Sequence, residues 1–325
     1  MQPEQHARIA AAYRRFADTE AQGRSPLYHE LANGVASDPE LIEFLAGLPR
    51  EKRQPNLLFA SARSVFGAAA HWGEFRRGVI GKQDAVRELM LRRSTQTNEP
   101  GRCAVLLPVL ARLTQPLALI EVGASAGLCL LPDRYAYDYG GHVLRPGSRA
   151  PEPPVFRCQV NPTTPLPREL PQVVWRAGLD LNPLDTSEPE DRAWLEALVW
   201  PEQEQRLARL RAALAIADAE KPRIVKGDLR RDMASLAAEA PKNATLVIFH
   251  TAVLAYVSPA QEREVFARSV ASLCDFWIAN EAAGVFPDLA ARAARPGPKG
   301  WFLLSLNGAP VAWADPHGAG LEWIG

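Results

Sequence analysis

The stretch Glu121-Val122-Gly123-Ala124-Ser125-Ala126-Gly127 gathers an acid and a run of small residues at what reads as a turn. It follows the apolar Leu117-Ala118-Leu119-Ile120, which has the length and composition of a buried parallel strand. Small side chains let backbone N–H groups come close to a ligand, and a helix beginning there adds partial positive charge. Glu121, Gly123, Ala124, Ser125 and Gly127 are therefore candidate ligand-binding residues.

Three more groups stand at predicted strand ends, where open α/β sheets bind ligands. Asp180 lies in Gly178-Leu179-Asp180-Leu181-Asn182-Pro183, Asp228 and Leu229 in Gly227-Asp228-Leu229, and His250 in Phe249-His250-Thr251. His250 is the candidate base or substrate contact, because an imidazole titrates near neutrality. Asn98 and Glu99, in the polar segment 94–101, are candidate substrate-binding residues. Each has a plain structural alternative: a helix cap or turn for the acids and for Asn98 and Glu99, a hydrogen-bonded core ring for His250.

Gly123 to Gly127 also matches G-x-S-x-G, the nucleophile elbow of α/β-hydrolases, with Ser125 as nucleophile and His317 as a downstream histidine. Against it, an elbow needs several strands before it, and no His-Gly-Gly segment occurs upstream. A dehydrogenase fingerprint, G-x-G-x-x-G, fails because Ser125 replaces the middle glycine.

The elements that must position these residues fall into two regions. Residues 1–115 read as a helical lid or cap. Ile9, Tyr13 and Phe16 recur at helical spacing, Asp38-Pro39-Glu40 is a helix start, and further helices are expected over 56–70 and 102–113. Residues 116–325 read as a Rossmann-like cofactor-binding domain. Its expected strands cover 117–122, 173–180, 224–228, 245–250 and 276–281, with helices over 190–217 and 259–273 between them. Asn307-Gly308 predicts a terminal antiparallel hairpin. Eight of 28 prolines lie between Pro146 and Pro171, so 132–171 reads as an insertion with a β-hairpin or ordered loop. Trp72, Trp175, Trp194 and Trp200 are possible pocket-lining residues, although tryptophan more often serves the core.

Lysine plus arginine equals aspartate plus glutamate at 37 each, so no nucleic acid or acidic membrane is expected as a partner. The four cysteines show no C-x-x-C and no zinc-ligand spacing, and no metal is expected. No apolar stretch reaches the ~20 residues of a membrane span, and the reading is a cytoplasmic protein of unknown oligomeric state.

Taken in order, the Glu121-x-Gly123-x-Ser125-x-Gly127 turn, the Asp180 segment, Gly227-Asp228-Leu229 and the closing hairpin resemble class I S-adenosylmethionine-dependent methyltransferases. That resemblance implies a doubly wound, mostly parallel α/β sheet with S-adenosylmethionine as cofactor. Asp180 would contact the ribose hydroxyls, Asp228 the adenine amine, and His250 the substrate, with a small molecule favoured as the unknown methyl acceptor. A non-catalytic S-adenosylmethionine-binding protein stands beside it. Asp180 follows Glu121 by 59 residues where the family pattern has about 20, and the proline-rich insertion accounts for the gap. Asp138, at 17 residues, lacks the glycine and proline context. Through Thr95-Gln96-Thr97-Asn98-Glu99, Leu179-Asp180-Leu181-Asn182-Pro183 and Ala314-Asp315-Pro316-His317-Gly318, the chain also resembles domain of unknown function family 2332, a bacterial family with no assigned reaction.

Overall fold

A computed structural model describes residues 2–96, 98–147 and 152–325. Thr97 of the polar segment and residues 148–151 of the proline-rich stretch lie outside them. The chain divides into two compact units, one of residues 1–97 with 188–208, the other of residues 98–187 with 209–325.

The first unit is helical. Ser25 caps Pro26–Ser37 by accepting the Tyr28 N–H, and Asp38 caps Pro39–Ala46 by accepting from Glu40 and Leu41, as the Asp-Pro-Glu pattern predicts. Helix Pro55–Phe66 stops at Gly67, whose φ of +89° is left-handed, four residues short of the expected end. The helix expected over 190–217 is two helices, Pro189–Ala197 and Glu204–Glu220. Pro201 lies in the break, because its ring removes an N–H and clashes with the preceding turn. Three of the four tryptophans pack inside this unit. Trp200 lies against Phe16 and Tyr28, Trp72 against Phe75, and Trp194 donates to the Ser94 carbonyl. Trp175 packs on the core of the second unit. These contacts are packing against neighbouring rings and the core.

The second unit is a mixed α/β structure around a large, mostly parallel sheet. Its strands are β1 (Leu117–Val122), β2 (Ala136–Asp138), β3 (Val143–Leu144), β4 (Val155–Arg157), β5 (Gln159–Val160), β6 (Val173–Asp180), β7 (Arg223–Lys226), β8 (Thr245–Thr251), β9 (Phe276–Ala282), β10 (Phe302–Leu306), β11 (Ala309–Ala314) and β12 (Gly320–Trp323). Nine of them form one sheet in the order β5-β12-β11-β10-β9-β8-β1-β6-β7. From β7 to β9 all neighbours are parallel, and β10, β11 and β12 then run antiparallel in sequence. Asn307 and Gly308, with φ of +48° and +73°, make the hairpin turn predicted from their types.

The insertion is not a simple hairpin. β2 pairs antiparallel with β3 but parallel with β4, while β5 leaves to join the edge of the main sheet beside β12. Three tyrosines anchor it: the hydroxyls of Tyr135, Tyr137 and Tyr139 donate to the carbonyls of Leu128, Pro132 and Ala104. Each buries a large ring while satisfying its polar end. Asp133 adds a two-pronged ion pair to Arg176 on β6, at 2.8 and 3.0 Å.

Side chains alternate across a strand, so register assigns the two faces of the sheet. Ile120, Val122, Ile248, Trp277, Ala279 and Leu303 fill the core on one face. By pairing and alternation Glu121, Gly178, Phe249, Thr251, Asn280 and Leu304 belong to the other.

Candidate functional site

The turn after β1 is closed by the protein's own hydrogen bonds. Gly123 and Ala124 donate to the Leu179 carbonyl, Ser125 to the Asp180 carboxylate at 2.8 Å, Ala126 to Asn98 Oδ1 at 3.0 Å, and Gly127 to the Ala124 carbonyl. Every N–H of the five small residues is therefore engaged. Gly123 and Gly127 have φ of +70°, and a side chain at Gly123 would lie 2.5 Å from Val253. Ser125 holds φ of +51° without being glycine.

The helix expected next does not form. A three-residue 3₁₀ turn, Leu128–Leu130, follows Gly127, then a second at Pro132–Arg134. The partial charge of a full helix start is absent here, and the hydrogen-bonding groups that shape the turn come from side chains instead.

Two of those side chains were legible. Asn98 donates from Nδ2 to Ser125 Oγ at 2.7 Å while its Oδ1 accepts from Ala126. Asp180 accepts from Ser125 through Oδ2 and from Asn182 N–H through Oδ1 at 2.7 Å. The structure thus brings Asn98, Ser125 and Asp180 together, although 82 residues separate the first and last. Ala126 and Pro183 also line a cavity of about 400 Å³, with Leu184, Asp185, Lys221 and Ile224 among its walls.

Beside the turn lies a buried polar group that sequence reasoning found only in part. Glu121 is buried with its Oε2 lacking any hydrogen-bond partner. Burial, then the neighbouring Cys129 sulfur, pushes its carboxyl well above the usual range, against the pull of Arg102. Arg102, absent from the sequence expectations, is also buried. It donates to the Pro316 carbonyl at 2.8 Å and to the Thr251 carbonyl at 3.0 Å, and its guanidinium lies 5.9 Å from the Phe302 ring centroid. Its signal was its place in Glu99-Pro100-Gly101-Arg102, next to the polar residues already singled out. Glu99 accepts from the Gly101 N–H and lies 3.5 Å from His317 Nδ1.

Three sequence candidates require correction. His250 belongs to the opposite face from Glu121 and has no exposed surface. Trp277 Nε1 donates to its Nε2 at 3.0 Å, so Nδ1 carries the proton and donates to Glu281 Oε1 at 2.7 Å. With no lone pair left and no access, the ring is a core element rather than a base. Asp228 is likewise occupied: both of its oxygens bind Arg230, which, ahead of the opposing effect of burial, holds the carboxyl down at about 2. Leu229 is half-buried against the core rather than presented at the turn.

The serine-nucleophile reading has no support from the geometry. Ser125 Oγ bonds Asn98 and no histidine, and no α-helix follows the turn. Among the described residues no cluster of potential metal ligands occurs, and no helix is long and apolar enough to cross a membrane.

No curated protein and no solved structure matches the chain. Residues 10–323 match one family model, so that the chain belongs to the family described as an uncharacterized protein conserved in bacteria, DUF2332.

Proposed function

We propose that the second unit binds S-adenosylmethionine at the C-terminal edge of β1 and β6 and that the protein transfers its methyl group to a small-molecule acceptor. The observation that carries this reading is the Asp180–Ser125 hydrogen bond, which joins the acid ending β6 to the glycine turn ending β1. It sits in a parallel run ordered β7-β6-β1-β8-β9, whose connections reverse direction between β1 and its other neighbour, β8. A topological switch point of this kind is where open α/β sheets take their ligands.

The residues present suit the cofactor. Asp180 is half-buried, and each oxygen keeps accepting capacity beyond its one N–H bond, as contact with a ribose diol requires. The adjoining cavity of about 400 Å³ falls in the range of small-molecule sites. Asn98 and the turn residues would hold the loop in shape, with Glu121 beneath it. Asp228 would reach an adenine amine only by giving up part of its pairing with Arg230. When bound, S-adenosylmethionine supplies an already activated methyl group for in-line displacement, so the chain's task is alignment and exclusion of water. His250 takes no proton in this scheme, which favours an acceptor that needs no histidine base.

Thermal unfolding with and without S-adenosylhomocysteine, with NADH and ATP as controls, tests the proposal. Ligand at 100 times its Kd should add about 2.7 kcal/mol of stability, and Asp180→Ala should abolish the shift. No shift at millimolar ligand would sink it. A non-catalytic cofactor-binding protein would show the same shift yet methylate no acceptor. A serine hydrolase would instead be labelled at Ser125 by a fluorophosphonate.

A further inference from the structure

We infer that Asn280 is a ligand-reading residue, whose buried carboxamide receives an uncharged amide-type group of the methyl acceptor: a carboxamide, lactam or ureide. Naming this ligand the acceptor rests on the methyltransferase reading; the recognition chemistry does not.

Asn280 has no exposed surface, and neither its Nδ2 nor its Oδ1 has a hydrogen-bond partner. A primary amide left so inside a sheet is costly, and an apolar residue of the same size would serve packing better. Its place is specific. Asn280 pairs with Thr251 on β8 and with Leu304 on β10, near the C-terminal edge of the parallel run. Arg102 reaches both flanking strands, bonding Thr251 on β8 and lying 5.9 Å from the Phe302 ring centroid on β10. Glu121, also buried with an unpartnered oxygen, belongs to the same face one strand beyond β8.

The opposite face offers a contrast. There the unpartnered Glu281 Oε2 and Ser305 Oγ line a small space of about 10 Å³. One water molecule suits such a space. Asn280 alone leaves two N–H donors and an amide oxygen unmet, and Glu121 leaves a carboxyl oxygen. A carboxamide presents an adjacent donor and acceptor, and its complement is a group with the same pair reversed. Burial there raises the Glu121 carboxyl, and the same loss of hydration would penalise a charged ligand group.

The test uses the full chain, wild type and Asn280→Leu, with benzamide, acetophenone and benzoate as probes. Benzamide should bind the wild type in preference to acetophenone, which lacks the N–H, and to benzoate, which is charged. Asn280→Leu should lose benzamide binding, retain S-adenosylhomocysteine binding, and unfold about 2–4 °C higher without ligand. Equal binding of benzamide and acetophenone, or preference for benzoate, would overturn the inference. So would a Leu variant that melts lower than wild type, since internal water would then be serving the amide. Failure of wild type to bind S-adenosylhomocysteine overturns the methyltransferase reading alone, and the benzamide comparison still decides the role of Asn280.

Discussion

The Asp180 carboxylate accepts the Ser125 N–H at 2.8 Å, so the last residue of β6 holds closed the turn that follows β1. Its other oxygen accepts the Asn182 N–H. Asp180→Ala strands both donors and should cost about 1–3 kcal/mol in chemical denaturation. Asp180→Asn keeps one acceptor and should fall between the two. A wild-type midpoint in the alanine variant would mean that the turn holds its shape without this clamp.

Asn98 closes the turn from the other side. Asn98→Ala removes the donor to Ser125 Oγ and the acceptor for Ala126 N–H, for an expected loss of about 1–2 kcal/mol. Asn98→Asp keeps the acceptor and can take the Ser125 hydroxyl proton in a hydrogen bond, so its loss should be smaller. The ranking of the two variants is the measurement: aspartate worse than alanine would contradict the geometry.

Glu281 collects three donors through one oxygen: His250 Nδ1, Val253 N–H and Leu254 N–H. Glu281→Ala leaves all three without this partner, two of them buried, and should destabilise by about 3 kcal/mol. Glu281→Gln still offers an acceptor oxygen and should recover much of that. Since this network lies on the face away from Glu121, the glutamine variant should bind S-adenosylhomocysteine as wild type does. A selective loss of binding in a folded Glu281→Gln protein would return His250 to the site.

Periodicity and turn chemistry carried the parallel strands, the capped helices and the Asn307-Gly308 hairpin, because each is decided within a few neighbouring residues. What stayed hidden depends on distant partners. Nothing near His250 in sequence announces Trp277 and Glu281, which give its two nitrogens their partners, and nothing near Asp228 except Arg230 shows its carboxyl to be occupied. The helix expected after Gly127 yields to a 3₁₀ turn because the chain must lead at once into the tyrosine-anchored insertion. Asn98 and Asp180 were named for their types, but that both grip the same turn follows only from the fold.

The Asp228–Arg230 pair makes a pH-dependent contribution of known sign. The Asp228 carboxyl sits at about 2 in the folded chain, below its ordinary ~3.9. The pair therefore stabilises the fold above pH ~4, and the contribution fades as pH falls through about 2. Arg230 is about half-exposed, so salt should weaken the effect further. Asp228→Asn should flatten this part of the acid unfolding curve. An unchanged curve would show that the pair contributes nothing in solution.

Glu121 works in the opposite direction. Its folded carboxyl is raised, first by burial, so below the ordinary ~4.3 both folded and unfolded chains hold the proton and the group is neutral in its effect. As pH rises, the unfolded chain releases that proton while the folded chain keeps it, and stability falls until the folded carboxyl itself ionises. Glutamine has no proton to release. Glu121→Gln should therefore match wild type least at neutral pH, where it is the more stable of the two, with the difference shrinking toward pH 4. Denaturant unfolding of both proteins between pH 4 and 8 reads this directly. A difference that does not grow with pH would mean that Glu121 ionises normally, and that the buried group beneath the turn carries its charge.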